Sequence, residues 1–116
     1  MKVQYKDNKI RKICNDHSKA VKELGLRVGD RLHEVMDFIE NAEILHDVSQ
    51  IPPYRLHPLY GDRLGTFAID LIKSTGFRLI LIPIDDEGNP FDTKDINIIY
   101  RSSSTIILLE VTKHYD

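Results

Sequence analysis

Two groups of side chains in this sequence have the chemistry to bind a phosphate and to move protons around it. The first group consists of three arginines, Arg55, Arg63 and Arg78. A guanidinium stays positively charged and can hold two phosphate oxygens at once. The second group consists of His57, His114 and Tyr115. Histidine titrates near neutral pH, so it readily gives or takes a proton.

Arg78 is the strongest candidate for contact with an anion. It is the one charge in the apolar run 77–84, and such a charge is costly unless its head reaches solvent or an anion. The alternative is an internal ion pair with Asp70. Arg55 and Arg63 flank a turn, from which both can hold substrate phosphates. For Arg63 the alternative is a solvated turn residue.

The histidines and the terminal tyrosine have open roles. His57 precedes Pro58, where a structural role competes with a chemical one. His114 and Tyr115 follow an apolar run, and if that run continues as one strand they point to opposite faces. Only one of them then faces the groove that holds Arg78, unless the chain bends. The alternative for both is a tail without catalytic duty.

Several other kinds of site are excluded. The remaining histidines, His17, His33 and His46, lack the spacing of metal ligands, and there is no glycine-rich phosphate loop, so no metal and no cofactor is expected. A single cysteine, Cys14, excludes an internal disulfide and agrees with a reducing compartment. No apolar run approaches the roughly 20 residues of a membrane span, and the first residues do not resemble a signal peptide. We therefore expect a cytoplasmic protein without a membrane partner.

The charges alternate in blocks along the chain. The net charge of −2 argues against bulk electrostatic capture of nucleic acid. Residues 1–31 carry nine basic and four acidic side chains, however, and residues 55–84 carry four and two. The segments 32–54 and 85–116 are acidic. If the fold brings the two basic blocks together, a basic face exists despite the acidic total.

The elements that must position these residues begin with two helices. Apolar residues at helical spacing predict one helix from Asp7 or Asn8 to Leu24, which Gly25 ends. A second apolar stripe, Leu32, Val35, Met36 and Ile39, predicts another helix directly after it. Two consecutive amphipathic helices with a short glycine-containing turn indicate a helical hairpin. The following residues to position 50 lose this period.

After position 52 the apolar period changes to that of strands. Strands are predicted at residues 66–73, 77–84 and 105–112, with weaker candidates at 2–6 and 54–60. Pro58 would confine the last of these to an edge of the sheet. Residues 85–95 form a polar loop, and residues 96–101 are ambiguous between strand and helix. The whole chain, 1–116, is therefore one α+β domain: an N-terminal helical hairpin packed on a small antiparallel β-sheet.

Residues 55–71 closely resemble the central motif of plasmid-maintenance killer proteins, the HigB-like toxins of the RelE/ParE superfamily. They read RLHPLYGDRLGTFAIDL, against a family pattern of roughly R-L-H-x-L-x-G-D-R-x-G-x-F-A-I-D-L. In the family a strand with an arginine follows, here residues 77–80, FRLI. Residues 31–35, RLHEV, are similar to the family's R-L-x-E-L. The resemblance covers about residues 8–115, and the coincidence of turn glycines and basic residues over the central motif makes it specific.

This resemblance implies a RelE-like fold and a ribosome-dependent cleavage of mRNA without a metal. In such cleavage the RNA 2′-hydroxyl attacks the adjacent phosphorus. The enzyme takes up that proton, gives one to the leaving 5′-oxygen and stabilises the developing charge. The resemblance makes Arg78, His114 and Tyr115 the catalytic candidates, and Arg55, His57 and Arg63 the substrate-binding ones. It also implies three partners: a cognate antitoxin of the small helix-turn-helix type, the ribosome and mRNA.

Two other functions stay open. The tail at residues 110–115 reads EVTKHY where the family has E-x-x-D-Y-H, so the aromatic residue and the histidine are exchanged. This exchange and the acidic net charge favour a catalytically inactive relative that only binds an antitoxin. A ParE-like inhibitor of DNA gyrase shares the fold but needs no proton-transfer groups, and it is the third alternative.

Overall fold

The computed structural model describes residues 1–113 and shows five strands and five α-helices over that range. The strands are β1 (Lys2–Tyr5), β2 (His57–Pro58), β3 (Phe67–Ile72), β4 (Phe77–Ile84) and β5 (Thr105–Lys113). The helices are α1 (Asn8–Asn15), α2 (His17–Leu24), α3 (Leu26–Asn41), α4 (Leu45–Ser49) and α5 (Ile96–Ser102). Three 3₁₀ turns lie at Pro52–Tyr54, Gly61–Arg63 and Lys73–Thr75. None of these helices is long and apolar enough to cross a membrane.

The strands form one sheet in the order β1-β5-β4-β3-β2. The pairs β2–β3, β3–β4 and β4–β5 are antiparallel, and β1 pairs with β5 in parallel. The predicted α+β class is thus confirmed, with one parallel pair at the β1 edge. That pair joins segments about a hundred residues apart in the sequence, which a local period cannot indicate.

The strand boundaries follow the sequence pattern closely, except at the second edge. β4 occupies the predicted residues 77–84, and β3 and β5 differ from the prediction by one residue at their ends. The predicted strand at 54–60 is too long, because β2 is only His57–Pro58. The two prolines before Tyr54 start a 3₁₀ turn instead. Pro58 lies in an edge strand, where its missing N–H costs no sheet hydrogen bond.

The first predicted helix is divided into two. Asp7 does cap α1, since its side chain accepts a hydrogen bond from the Ile10 N–H at 3.1 Å. Asp16 then interrupts the helix with extended backbone, and its own side chain caps α2 by accepting from the Lys19 N–H at 3.1 Å. An aspartate offers this alternative to the helical backbone, so the apolar period continues while the helix does not. Gly25 ends α2 at a φ of 86°, as predicted.

Two further helices complete the layer. α4 at Leu45–Ser49 was missed, because a helix of five residues is too short to show a period. The ambiguous residues 96–101 belong to α5, which the side chain of Asp95 caps by accepting from the N–H groups of Asn97 and Ile98. The predicted hairpin corresponds to α2 and α3. These two helices approach closely at Gly29, where a Cβ atom would lie 3.0 Å from the Val21 backbone nitrogen.

The core lies between α3 and one face of the sheet. Alternate residues of each central strand point into it, as period two requires. The sheet contributes Phe67, Ile69, Leu71, Leu79, Leu81, Ile106 and Leu108, and α3 contributes Val28, Leu32, Val35, Met36 and Ile39. Burial of this apolar surface is the main favourable contribution to folding. It also fixes the strand ends that carry the candidate site.

Cys14 is buried in α1, as its place in the helical stripe predicted. Burial, and next the charge of Glu40, raise the pKa of its thiol to about 12 from the ordinary value of 9.0. The unfolded chain therefore loses this proton at lower pH than the folded protein. The contribution of the protonated Cys14 thiol to the free energy of unfolding is complete below pH 9.0 and is lost as the pH rises towards 12.

We expect the free energy of unfolding to fall by at most about 1.4 kcal/mol per pH unit in that window, beyond the fall seen in Cys14→Ala. Urea denaturation of both proteins from pH 8 to pH 10.5 measures the difference, since other titrating groups are common to both. If the free energy of unfolding falls equally with pH in the wild type and in Cys14→Ala, the prediction is wrong.

Candidate functional site

A cleft of about 820 Å³ opens between the first turn of α3 and the turn that joins β3 to β4. Its lining comes from four separate parts of the chain: residues 24–28, Arg55, Asp70 with residues 73–78, and Lys113. The two turns border it because glycines stop the preceding elements there. Gly25 and Gly76 have φ angles of 86° and 78°, in the left-handed region that favours glycine. The cleft therefore lies where the start of α3 meets the turn between β3 and β4.

The cleft is strongly basic. Among the lining residues that the structure describes, five are cationic and one is acidic: Arg27, Arg55, Lys73, Arg78 and Lys113, with Asp70. These six side chains sum to +4 in a chain whose total is −2. Arg27 comes from the first basic block of the sequence and three of the others from the block 55–84. The fold thus brings one cation of the first block beside three of the second, and the surface they form suits an anion.

Asp70 lies at the base of this cleft between two arginines. The β3–β4 register places it directly opposite Arg78, and the ladder shifts immediately afterwards, between Asp70 and Ile72. Its side chain is almost fully buried, with a relative exposure of 3% for the residue. The Nε of Arg55 donates to Oδ2 at 2.6 Å, and the Nε of Arg78 lies 3.5 Å from Oδ1. The predicted alternative for Arg78, an ion pair with Asp70, therefore exists within the cleft lining.

Arg55 reaches Asp70 from an unusual backbone conformation. It has a φ of 45°, and it is the one non-glycine residue with positive φ among residues 1–113. The 3₁₀ turn that begins at Pro52 ends on it, with the Arg55 N–H donating to the Pro52 carbonyl at 3.1 Å. A left-handed conformation is unfavourable for a side chain with a Cβ and is often found at functional sites. Here it directs the arginine towards the buried carboxylate.

Two further features add positive potential at the cleft. α3 starts at the cleft with Gly25 as its N-cap, and no side chain accepts a hydrogen bond at this end of the helix. The partial positive charge of the helix N-terminus is thus directed to that region. On the opposite border the ammonium of Lys113 lies 5.3 Å from the centre of the Phe77 ring. The aromatic ring holds the lysine beside the cleft, at the end of β5.

Two of the predicted substrate-binding residues lie elsewhere. Arg63 is outside the cleft lining, and its Nη2 donates to Oε1 of Glu110 at 2.7 Å on an exposed part of the sheet. His57 is also outside, and its Nδ1 donates to the Arg55 carbonyl at 2.7 Å. His57 thus contacts the backbone of a cleft residue. Arg55 is the one member of the predicted substrate-binding set that lines the cleft.

His114 and Tyr115 lie outside the described residues, directly after Lys113 at the cleft border. Among residues 1–113, the cleft lining contains no histidine and no tyrosine. The same range contains no cluster of three or more acidic, histidine or cysteine side chains that could hold a metal. The described part of the cleft can therefore bind an anion and stabilise its charge through arginine and lysine.

Sequence reasoning missed three of the cleft cations. Arg27, Lys73 and Lys113 belong to three segments, and only the fold brings them near Arg55 and Arg78. A local indication existed for Arg27 and Lys73. Arg27 lies just after Gly25, which ends α2, and Lys73 lies in the turn with Gly76 that joins β3 to β4. This indication was too weak to distinguish them from solvated surface charges.

Comparisons with known proteins bear on the fold. No family model matches this sequence, and no curated protein matches it. Among solved structures the chain is similar to a YoeB/ParE toxin from Agrobacterium tumefaciens, with a TM-score of 0.54 and 10% sequence identity. The alignment covers 99% of this chain and 100% of that one. At this identity the likeness shows a shared fold, which agrees with the predicted RelE/ParE-type architecture.

Proposed function

We propose that this protein is the toxin of a type II toxin-antitoxin module, of the HigB-like branch, and that its basic cleft cuts mRNA on the ribosome. The observation that carries the proposal is the concentration of five cations around one cleft in an acidic chain. In a chain with a net charge of −2, cations that serve only to solvate the surface need not cluster at one place. A polyanion substrate gives a reason for such a cluster. The shared toxin fold and the motif at residues 55–71 support the same assignment.

The proposed chemistry follows from the residues around the cleft. A scissile phosphate sits between Arg78 and Arg55, whose guanidiniums stabilise the charge that develops when the RNA 2′-hydroxyl attacks phosphorus. Arg27, Lys73 and Lys113 hold the neighbouring phosphates. His114 or Tyr115, which follow the cleft border directly, transfer the protons. The reaction uses no metal and no cofactor in this proposal.

The proposed partners follow from the proposed function as a toxin that cuts mRNA on the ribosome. The single domain 1–116 acts in the cytoplasm on mRNA in the ribosome, and a small helix-turn-helix antitoxin binds it until release. Because the cleft is basic, an acidic segment of the antitoxin is the chemistry that would cover it best.

One observation favours a second candidate function, a catalytically inactive relative that binds only an antitoxin. Residues 114 and 115 read His-Tyr where the pattern of the HigB-like toxins has Tyr-His, so the proton-transfer groups are exchanged in order. A relative in which this exchange prevents proton transfer would keep the basic surface and its partner while cutting nothing.

Controlled expression of the wild-type chain without an antitoxin tests the proposal. We expect growth arrest and the appearance of new 5′ ends within translated mRNAs. Because the proposed cleavage needs the ribosome, these new 5′ ends should be absent when translation initiation is blocked. Sequencing of 5′ ends before and after induction measures this. Intact transcripts with normal growth would support the inactive relative, and intact transcripts with DNA damage would support an inhibitor of gyrase.

A further inference from the structure

We propose that Asp70 is a positioning residue: its buried carboxylate holds Arg55 and Arg78 so that their guanidiniums meet on one phosphate in the cleft. This inference rests on the proposed function and assigns to Asp70 a role that no sequence motif indicated. The sequence had suggested Asp70 only as an alternative partner that would withdraw Arg78 from function. In the structure the same ion pair lies in the wall of the cleft itself.

The contacts show how one carboxylate can orient two cations. Arg55 donates to Asp70 through both Nε, at 2.6 Å, and Nη2, at 3.4 Å, so one edge of its guanidinium is fixed against the carboxylate. The Nε of Arg78 lies 3.5 Å from Oδ1, the carboxylate oxygen that also accepts from Nη2 of Arg55. In both cases the contact uses Nε, the nitrogen nearest the aliphatic stem. A guanidinium anchored at Nε has a fixed plane, and therefore a fixed direction for its outer nitrogens.

Burial makes this anchor rigid. Asp70 is 3% exposed, and its backbone lies opposite Arg78 in the β3–β4 ladder. Arg55 is fixed independently, by its left-handed backbone at the end of the 3₁₀ turn. Arg55 therefore has a constrained backbone and a hydrogen-bonded guanidinium before any ligand arrives, and Arg78 has a backbone fixed in β4 and an ion pair with the same carboxylate. Charge stabilisation in a transition state depends on this kind of preorganisation.

The negative charge of Asp70 also weakens the electrostatic attraction of RNA to the cleft. An experiment can therefore distinguish a role in orienting the arginines from a role in attracting RNA. Asp70 is the one acidic side chain that residues 1–113 contribute to the cleft lining, so it lowers the positive potential that attracts RNA. A residue kept only to bind the anion would not be acidic. Removing its charge should strengthen attraction for RNA while it releases the two guanidiniums. A purely structural ion pair predicts no such opposite effects.

The experiment is the pair of variants Asp70→Asn and Glu110→Gln. Asp70→Asn keeps the shape of the side chain and removes its charge. We expect kcat for cleavage of translated mRNA to fall by about 10- to 100-fold, as for a misplacement of reacting groups. A single-stranded RNA oligonucleotide should bind at least as tightly as to the wild type. Glu110→Gln removes the carboxylate that pairs with Arg63 outside the cleft, and should leave both quantities unchanged.

A second measurement does not depend on activity or on the Asp70→Asn variant. In the wild-type protein without RNA, the Nε–H groups of Arg55 and Arg78 should give separate NMR signals that exchange slowly with water. Single Arg→Lys variants assign the two signals. Fast exchange of both in the free wild type overturns the inference, as does an Asp70→Asn protein whose kcat is unchanged or whose kcat and RNA affinity fall together. A wild type that cuts no mRNA overturns the proposed function, and the NMR signals then decide the positioning role separately.

Discussion

Replacement of Arg78 by alanine is expected to reduce mRNA cleavage by about 10²- to 10³-fold, the usual cost of losing one charge-stabilising donor. The physical reason is that Arg78 is a cation in the wall of the cleft, held by the Asp70 carboxylate at 3.5 Å. Arg55 keeps its shorter contact with that carboxylate, so Asp70 is not left as an unpaired buried charge. Ribosome-dependent cleavage in a reconstituted translation system, with growth arrest on induction, measures the effect.

Two comparison variants make this result specific. Arg101→Ala removes an exposed arginine from the last turn of α5, outside the cleft lining, and should cut mRNA at the wild-type rate. Arg78→Lys keeps the charge but loses the planar fork that grips two phosphate oxygens, so its rate should lie between those of the wild type and Arg78→Ala. Circular dichroism checks that each variant is folded. Full activity of a folded Arg78→Ala would remove this arginine from the proposed mechanism.

Replacement of Leu79 by alanine should lower the free energy of unfolding by about 2–5 kcal/mol. Leu79 is fully buried on β4, between β3 and β5, and it faces the core beneath the helices. Truncation there removes apolar contacts and leaves a cavity that the rigid sheet cannot close. Because domains of this size have a total stability of about 5–15 kcal/mol, the loss is a large part of the whole. Urea denaturation at constant pH measures it.

Leu64→Ala is the matched control for this prediction. The chemical change is identical, but Leu64 is 64% exposed in the loop before β3, so its truncation should change stability by less than about 0.5 kcal/mol. Equal effects at the two positions would mean that the core does not lie between the helices and this face of the sheet.

The sequence indicated those parts of the fold that depend on local patterns. β3 and β4 were predicted almost to the residue, since alternating apolar residues meet a turn with a glycine at position 76. The first helix was predicted as continuous because the apolar stripe runs through Asp16, whose capping side chain interrupts the backbone alone. The parallel pairing of β1 with β5 had no local signal, because it depends on the position of the whole sheet.

The candidate site was predictable to a similar degree. Arg78 was identified from its place in an apolar strand, and Asp70 as its possible partner from the neighbouring strand. Their meeting follows from strand pairing, which local turns determine. Arg27 and Lys113 come from the start of a helix and the end of the last strand, so only the tertiary fold places them at the same cleft. Nothing in the spacing of those residues distinguishes them from surface charges.

The place of β5 within the sheet has a consequence for biosynthesis. This strand, Thr105–Lys113, is the last of the described strands to be synthesised, yet it lies between β1 and β4. As the nascent chain leaves the ribosome, β1 has no partner until β5 has been translated and has emerged from the exit tunnel. Lys113, and with it one border of the basic cleft, arrives at the same moment. The cleft can therefore assemble only after β5 has been translated, so a product that stops before β5 lacks both the partner of β1 and this border of the cleft.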